Sequence, residues 1–176
     1  PGPSPKCART RSSPKSRLRD SGGGAGIQAD LKTFAALGVY GASALTAVTA
    51  QNPAEILGIW GLPGEAVAAQ MKAITSAFRV RAAKTGMRAA PGIVRAVAAG
   101  LPGGVPLVVD PVMTATSGGR LLDREALPAL CDELIPRATV VTPNASEAAV
   151  LAGTGPVTTL REMEEAAGRI LDLGPC

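Results

Sequence analysis

Residues 105–113 read VPLVVDPVM, an apolar run that ends on Asp110 and is broken at once by Pro111. A short continuous run of apolar, largely β-branched residues suits a strand buried on both faces, as strands of a parallel sheet are. Working outward, Ala138–Thr142 (ATVVT), Val80–Lys84 (VRAAK) and about Tyr40–Thr49 read as further strands. Helical patterns lie between them, at roughly Ile27–Leu37, Gly64–Phe78, Pro91–Ala99, Asp123–Leu134, Asn144–Ala152 and Leu160–Leu173. Strands of four to six residues alternating with helices about ten residues long predict βαβ units and an α/β fold with a parallel sheet covered on both faces. Ligands in such folds bind beyond the carboxyl ends of the strands, so the residues just after each strand are the ones to inspect.

Composition narrows the chemistry. The 176 residues contain no histidine, which excludes a Ser-His-Asp triad, a histidine proton shuttle and a histidine-containing zinc site. Cys7, Cys131 and Cys176 form no C-x-x-C pair and point to reduced thiols in a cytoplasmic setting. The net charge of +4 is misleading. Residues 1–20 hold six basic residues against Asp20, leaving 12 basic and 13 acidic residues in the remainder. That near-neutral body, with 2% aromatic residues, offers neither a basic stripe nor stacking platforms, so no nucleic-acid partner is expected.

Residues 1–19 are rich in Pro, Ser and Arg and lack apolar periodicity, and are expected to be a disordered basic head. Pro1, Pro3, Pro5 and Pro14 argue against an amphipathic transit helix. No charge falls between Lys32 and Glu55, but Gly38, Gly41, Gln51 and Asn52 within that stretch speak for a helix end, a turn and a strand. No membrane association is expected.

Five strand exits or turns carry unusual chemistry. SGGGAGIQAD (21–30) is a Gly-rich turn leading into a helix, where free amides attract anions or polar groups. It is not a P-loop, since no Gly-Lys occurs anywhere. Gly24–Ala29 matches a loose dinucleotide fingerprint, but the preceding strand and the later acidic residue are missing. A flexible loop with a helix cap explains the glycines equally well. After the buried strand, Gln51 and Asn52 offer a donor and an acceptor side by side to a heterocycle edge, or simply start a turn before Pro53. KTGM (84–87) and DPVM (110–113) are the next two exits, and Asp110 follows an apolar strand whose tip would hold a carboxylate against a cation. In TPNASE (142–147), Asn144 and Glu147 have the spacing of a capping box, and the same oxygens would suit a phosphate-bound Mg²⁺ reached through water.

Taken in order, SGGGAGIQADLKTFAALGVYG, TAVTAQN, KTGM, VVDPVM followed by ATSG, and VVTPNASEA closely resemble the hydroxymethylpyrimidine/phosphomethylpyrimidine kinases of thiamine biosynthesis, members of the ribokinase-like superfamily. The resemblance runs from about Asp20 to the end. It implies a ribokinase-like three-layer sandwich with a central, mainly parallel sheet, incomplete over residues 20–176. It also implies ATP and Mg²⁺ as cofactors, a pyrimidine alcohol and its monophosphate as substrates, and a homodimer as an assembly to test. By the same resemblance Gly23, Asp30, Gln51, Met87 and Val112 surround the pyrimidine. Asp110, Asn144 and Glu147 lie towards the ATP phosphates, with Asp110 and Glu147 near the metal. Phosphoryl transfer of this kind is mostly positioning and charge neutralisation, so the absence of histidine is no objection.

Two departures qualify that picture. The family's first strand is apolar and ends in Gly-Ser-Asp or similar, whereas residues 16–20 read SRLRD; an absent first strand is therefore expected. The family's Lys-Gly-Gly-His segment and its Gly-Thr-Gly-Cys or Gly-Thr-Gly-Asp turn, which supplies the anion hole and the proton acceptor, do not occur within the 176 residues. No catalytic base is therefore assigned here, and these residues alone are expected to be inactive. Cys176 lacks the Gly-Thr-Gly lead and is not that base. The rival readings are a non-catalytic pyrimidine-binding fragment and a pyridoxal-kinase-like vitamin kinase, the latter sharing the DPVM and TPN-x-x-E pieces. A dinucleotide-dependent oxidoreductase is a third.

Overall fold

The computed structural model describes residues 12–20 (as strand backbone), 23–24, 26–52, 55–86, 90–113 and 125–175. Strands β1 (Ser12–Asp20), β2 (Tyr40–Gln51), β3 (Ile56–Gly61), β4 (Ala83–Thr85), β5 (Leu107–Val109) and β6 (Val140–Val141) form one sheet in the order β3-β2-β1-β4-β5-β6. Every neighbouring pair is parallel except β2 with β3. Parallel pairing brings the carboxyl ends of five strands to one edge, where Asp20, Gln51, Gly86, Asp110 and Thr142 end or follow them.

The expected strands are present; β2 starts at Tyr40 as expected and runs on to Gln51, while β4, β5 and β6 start later than expected. Pro106 has no N–H to give the ladder, and its carbonyl accepts the Ala83 N–H at 2.9 Å, so pairing begins only at Ala83 with Leu107. The predicted helices appear as α1 (Gly26–Ala36), α2 (Gly64–Ala77), α3 (Pro91–Gly100), α5 (Ala145–Ala152) and α6 (Leu160–Leu171). The segment predicted as a helix over 123–134 is less regular. It is α4 (Ala126–Ala129), a π-turn over Leu130–Leu134 and a 3₁₀ turn over Ile135–Arg137. Pro136, lacking an N–H, is where the wide turn gives way to the tighter one.

Two strands depart from the expectations. The antiparallel partner β3 lies outside the strands expected from the sequence; ILGIWG interleaves apolar residues with glycines, and Leu57 and Trp60 are exposed. The expectation that residues 1–19 form a disordered head with no first strand is corrected over 12–19. There β1 runs between β2 and β4, paired from Ser12 with Tyr40 to Asp20 with Thr49, and at Lys15 and Ser16 with Lys84 and Thr85. A ladder bonds through the main chain, and two strands flanking one gap need partners for their own N–H and C=O groups. That demand outweighs side-chain propensity here. Pro14 precedes the two residues that pair on both sides, where a missing donor costs least. Residues 1–11 lie outside the described residues.

The core is built on one side of the sheet. Ala44, Ala83, Leu107 and Val109 from the strands meet Val67 and Met71 of α2, Val94 and Val97 of α3, and Leu130, Leu134 and Ile135. These side chains are almost wholly removed from water, the largest favourable term in the fold. Helix α1 stands apart from this cluster, against β1 and β2. Beyond the end of β3, Gln70 of α2 takes the place of a strand neighbour. Its Oε1 accepts the Leu45 N–H at 2.9 Å, and its Nε2 donates to the Leu45 carbonyl at 3.1 Å.

Candidate active site

The site is assembled at the carboxyl edge of the sheet. Its first part is the Gly-rich turn, where Gly23 (φ 69°) and Gly26 (φ 64°) take left-handed backbone that a side chain would strain. The turn feeds α1, and Lys32, two turns along, donates its ammonium to the Gly23 carbonyl at 3.0 Å. Asp30 lies one turn into that helix, with its side chain 14% exposed.

Lys84 sits in the middle of β4. Ala83 and Thr85 on either side are buried, so strand alternation turns Lys84 to the opposite face. There its Nζ lies 3.8 Å from Asp30 Oδ1 and 3.3 Å from Asp110 Oδ2. Asp110 reaches this position because Lys84 pairs with Val108, and the residue two on from Val108 lies on the same face. The Asp110 N–H, in turn, donates to the Thr85 carbonyl at 3.0 Å, which anchors the start of the DPVM segment.

A second constellation lies at the adjoining exit of β6. Asn144 caps α5, its Oδ1 accepting the Glu147 N–H at 3.0 Å, and Glu147 Oε2 accepts the Asn144 N–H at 2.9 Å. The predicted capping box is present in full. Glu147 also does something the spacing did not show. Its Oε1 accepts the Met113 N–H at 3.1 Å, tying α5 to the end of the DPVM segment. The carboxylate is thereby buried with both oxygens engaged by backbone N–H groups.

Of the residues singled out from the sequence, Asp30 and Asp110 are joined through Lys84, and Asn144 and Glu147 through the cap. Val112 lies half-buried between Asp110 and Met113, in the segment those contacts hold at both ends. Gly23 contacts Lys32. Gln51 is the last residue of β2, two strands from β4, and its Oε1 accepts from the Thr49 hydroxyl at 3.4 Å. Asn52 serves the turn: its Oδ1 accepts the Glu55 N–H, and its own N–H donates to the Glu55 carbonyl, both at 3.0 Å. Met87 lies outside the described residues. The residue not assigned a role from the sequence is Lys84; its signal was a cation inside a short strand of otherwise small residues, which becomes meaningful only once β4 is paired with β5.

The chain matches the family model described as phosphomethylpyrimidine kinase over residues 20–176. The chain belongs to this family. Among curated proteins, a hydroxymethylpyrimidine/phosphomethylpyrimidine kinase of Rhizobium meliloti is 51% identical over 156 residues, covering 88% of this chain and 59% of that protein. One of Streptomyces coelicolor is 48% identical over 157 residues, covering 89% and 58%. The chain thus spans about three-fifths of the length of these relatives. Among solved structures, phosphomethylpyrimidine kinase of Clostridium difficile superposes with a TM-score of 0.84 at 39% identity, covering 93% of this chain and 74% of that one. A pyridoxal kinase of Staphylococcus aureus, solved with AMP-PCP and pyridoxal, gives 0.84 at 32% identity, covering 96% and 61%. The chain therefore has the α/β, ribokinase-like architecture expected of it, and the family it belongs to is one of phosphotransferases.

Proposed function

We propose that the protein carrying this chain transfers the γ-phosphate of ATP to the hydroxymethyl group of 4-amino-5-hydroxymethyl-2-methylpyrimidine, and then phosphorylates the monophosphate again, for thiamine assembly. The observation that carries this reading is the 51% identity to a hydroxymethylpyrimidine/phosphomethylpyrimidine kinase over most of the chain. In this reading the pyrimidine lies between the Gly-rich turn at Gly23, Asp30, Gln51, Met87 and Val112. Asp110 and the Asn144–Glu147 cap face the phosphates.

The residues' own contributions follow from their contacts. The turn at Gly23 and Gly26 admits a ligand close to the backbone. Asp30 and Gln51 present a carboxylate and an amide to a heterocycle edge, which reads donors and acceptors by position. Lys84 keeps the Asp30 and Asp110 carboxylates close despite their like charge. Glu147 fixes where the segment ending at Met113 stands, and so where Val112 stands.

The donor set suits Mg²⁺ only in one manner. Among the described residues no group of three or more His, Cys, Asp or Glu side chains converges, and both Glu147 oxygens already accept backbone N–H groups. Among the described residues, therefore, no cage made wholly of protein ligands is formed. Mg²⁺ bound to nucleotide phosphates commonly keeps its waters and uses one or two carboxylates, and Asp110 directly with Glu147 through water fits that pattern. When bound there, the ion would neutralise charge on the phosphate oxygens.

The test is incubation of the purified chain, beside a full-length relative as a positive control, with ATP, Mg²⁺ and the pyrimidine alcohol, followed by mass detection of phosphorylated pyrimidine. Product, or saturable binding of the pyrimidine in preference to pyridoxal, supports the reading. Preferential binding or phosphorylation of pyridoxal overturns it.

A further inference from the structure

Three charged side chains from three elements meet at one point of the carboxyl edge. Asp30 comes from α1, Lys84 from β4 and Asp110 from the exit of β5. Their side chains are 14%, 25% and 25% exposed, so water screens these contacts less than on an open surface. Removing the ammonium would leave two partly buried carboxylates near one another. Asp30 also stands on the helix that the Gly-rich turn opens, and Lys32 ties that helix back to Gly23. The position of Asp30 is thus linked to the shape of the turn.

We propose that Lys84 is a positioning residue that couples the two halves of the site, so that loss of the Asp110 carboxylate, or a cation held against it, alters pyrimidine binding at Asp30. This rests on the proposed function for the identity of the ligand. The ammonium lies nearer Asp110, at 3.3 Å, than Asp30, at 3.8 Å. A change that weakens its hold on Asp110, whether loss of that carboxylate or arrival of a cation there, releases it towards Asp30. Asp30 then has less capacity to accept from the ligand. The Lys84 ammonium joins Asp30 to Asp110, so deleting it removes that link.

The experiment is a double-mutant cycle. Affinity for the pyrimidine alcohol, without nucleotide, is measured by calorimetry for wild type, Asp110→Asn, Lys84→Met and the double variant. Asp110→Asn is expected to weaken binding about fivefold in the wild-type background and less than about twofold in the Lys84→Met background. Lys84→Arg, which keeps the charge, is expected to preserve coupling, a result that loss of packing alone would not produce. An equal effect of Asp110→Asn in both backgrounds overturns the proposal. If this chain by itself binds no pyrimidine, urea unfolding judges this proposal separately from the proposed function. Lys84 paired with Asp30 and Lys84 paired with Asp110 must then each show non-additivity of about fivefold in the unfolding constant. Additivity in either pair overturns it.

Discussion

Glu147 makes a quantitative claim. Its two carboxylate oxygens accept two backbone N–H groups, one in its own cap (Asn144, 2.9 Å) and one in a different segment (Met113, 3.1 Å). The Asn144 side chain makes the reciprocal cap bond to the Glu147 N–H at 3.0 Å. Asn144→Ala removes that last bond alone and is expected to cost about 1 kcal/mol. Glu147→Ala removes two bonds to an ionised acceptor, each worth about 1.5–3 kcal/mol. The cap N–H is partly open to water and belongs at the low end. The Met113 N–H is buried and belongs at the high end, giving about 4.5 kcal/mol in all. The difference of about 3.5 kcal/mol is carried mainly by the tether to Met113, and it is a large share of a domain stability of about 5–15 kcal/mol. Urea unfolding of both variants measures it, with hydrogen exchange at the Met113 amide as a local check, expected to speed up in Glu147→Ala and not in Asn144→Ala. Equal destabilisation by the two substitutions would refute the tether.

Three further outcomes are expected. Gln70→Ala strips the Leu45 N–H and C=O of their partners beyond the end of β3 and should destabilise the chain by about 1–3 kcal/mol in thermal or urea unfolding, with Gln70→Glu failing to restore it because a carboxylate cannot donate to the carbonyl. Backbone and side-chain hydrogen bonds from Thr158 and Thr159 lower the Glu162 carboxyl to about 2, so its contribution to the start of α6 is full above about 4.5, declines as pH falls and is gone below about 2; a carboxyl NMR titration with a midpoint at its ordinary value would contradict this. Burial, assisted by Asp132, raises the Cys131 thiol, so iodoacetamide should alkylate it more slowly at pH 8 than a free small thiol, and equal rates would show that the site opens readily.

The site's two halves were legible to different degrees. Asn144 and Glu147 are three residues apart, and a capping box is a local geometry that spacing alone specifies. Asp110 was legible for a similar reason, as a carboxylate at the end of an apolar run. Lys84 was visible in KTGM, but nothing within that segment says which carboxylates it meets. That depends on the pairing of Lys84 with Val108 and on α1 lying against the same face. Asn52 shows the converse. Its neighbour Gln51 shares its chemistry, and only the hairpin to β3 assigns Asn52 to the turn.

The sequence by itself determined the alternation of strands and helices, the α/β class, the edge on which to look for ligands and the ordered motifs that mark the family. These properties reside in periodicity and in short contiguous runs. Tertiary structure alone decided that Ser12–Asp20 is a central strand, that β3 closes an antiparallel edge, that Glu147 holds Met113 and that Lys84 stands between Asp30 and Asp110. The reason is physical: main-chain pairing and contacts between charges depend on which distant segments become neighbours, and local composition does not encode that.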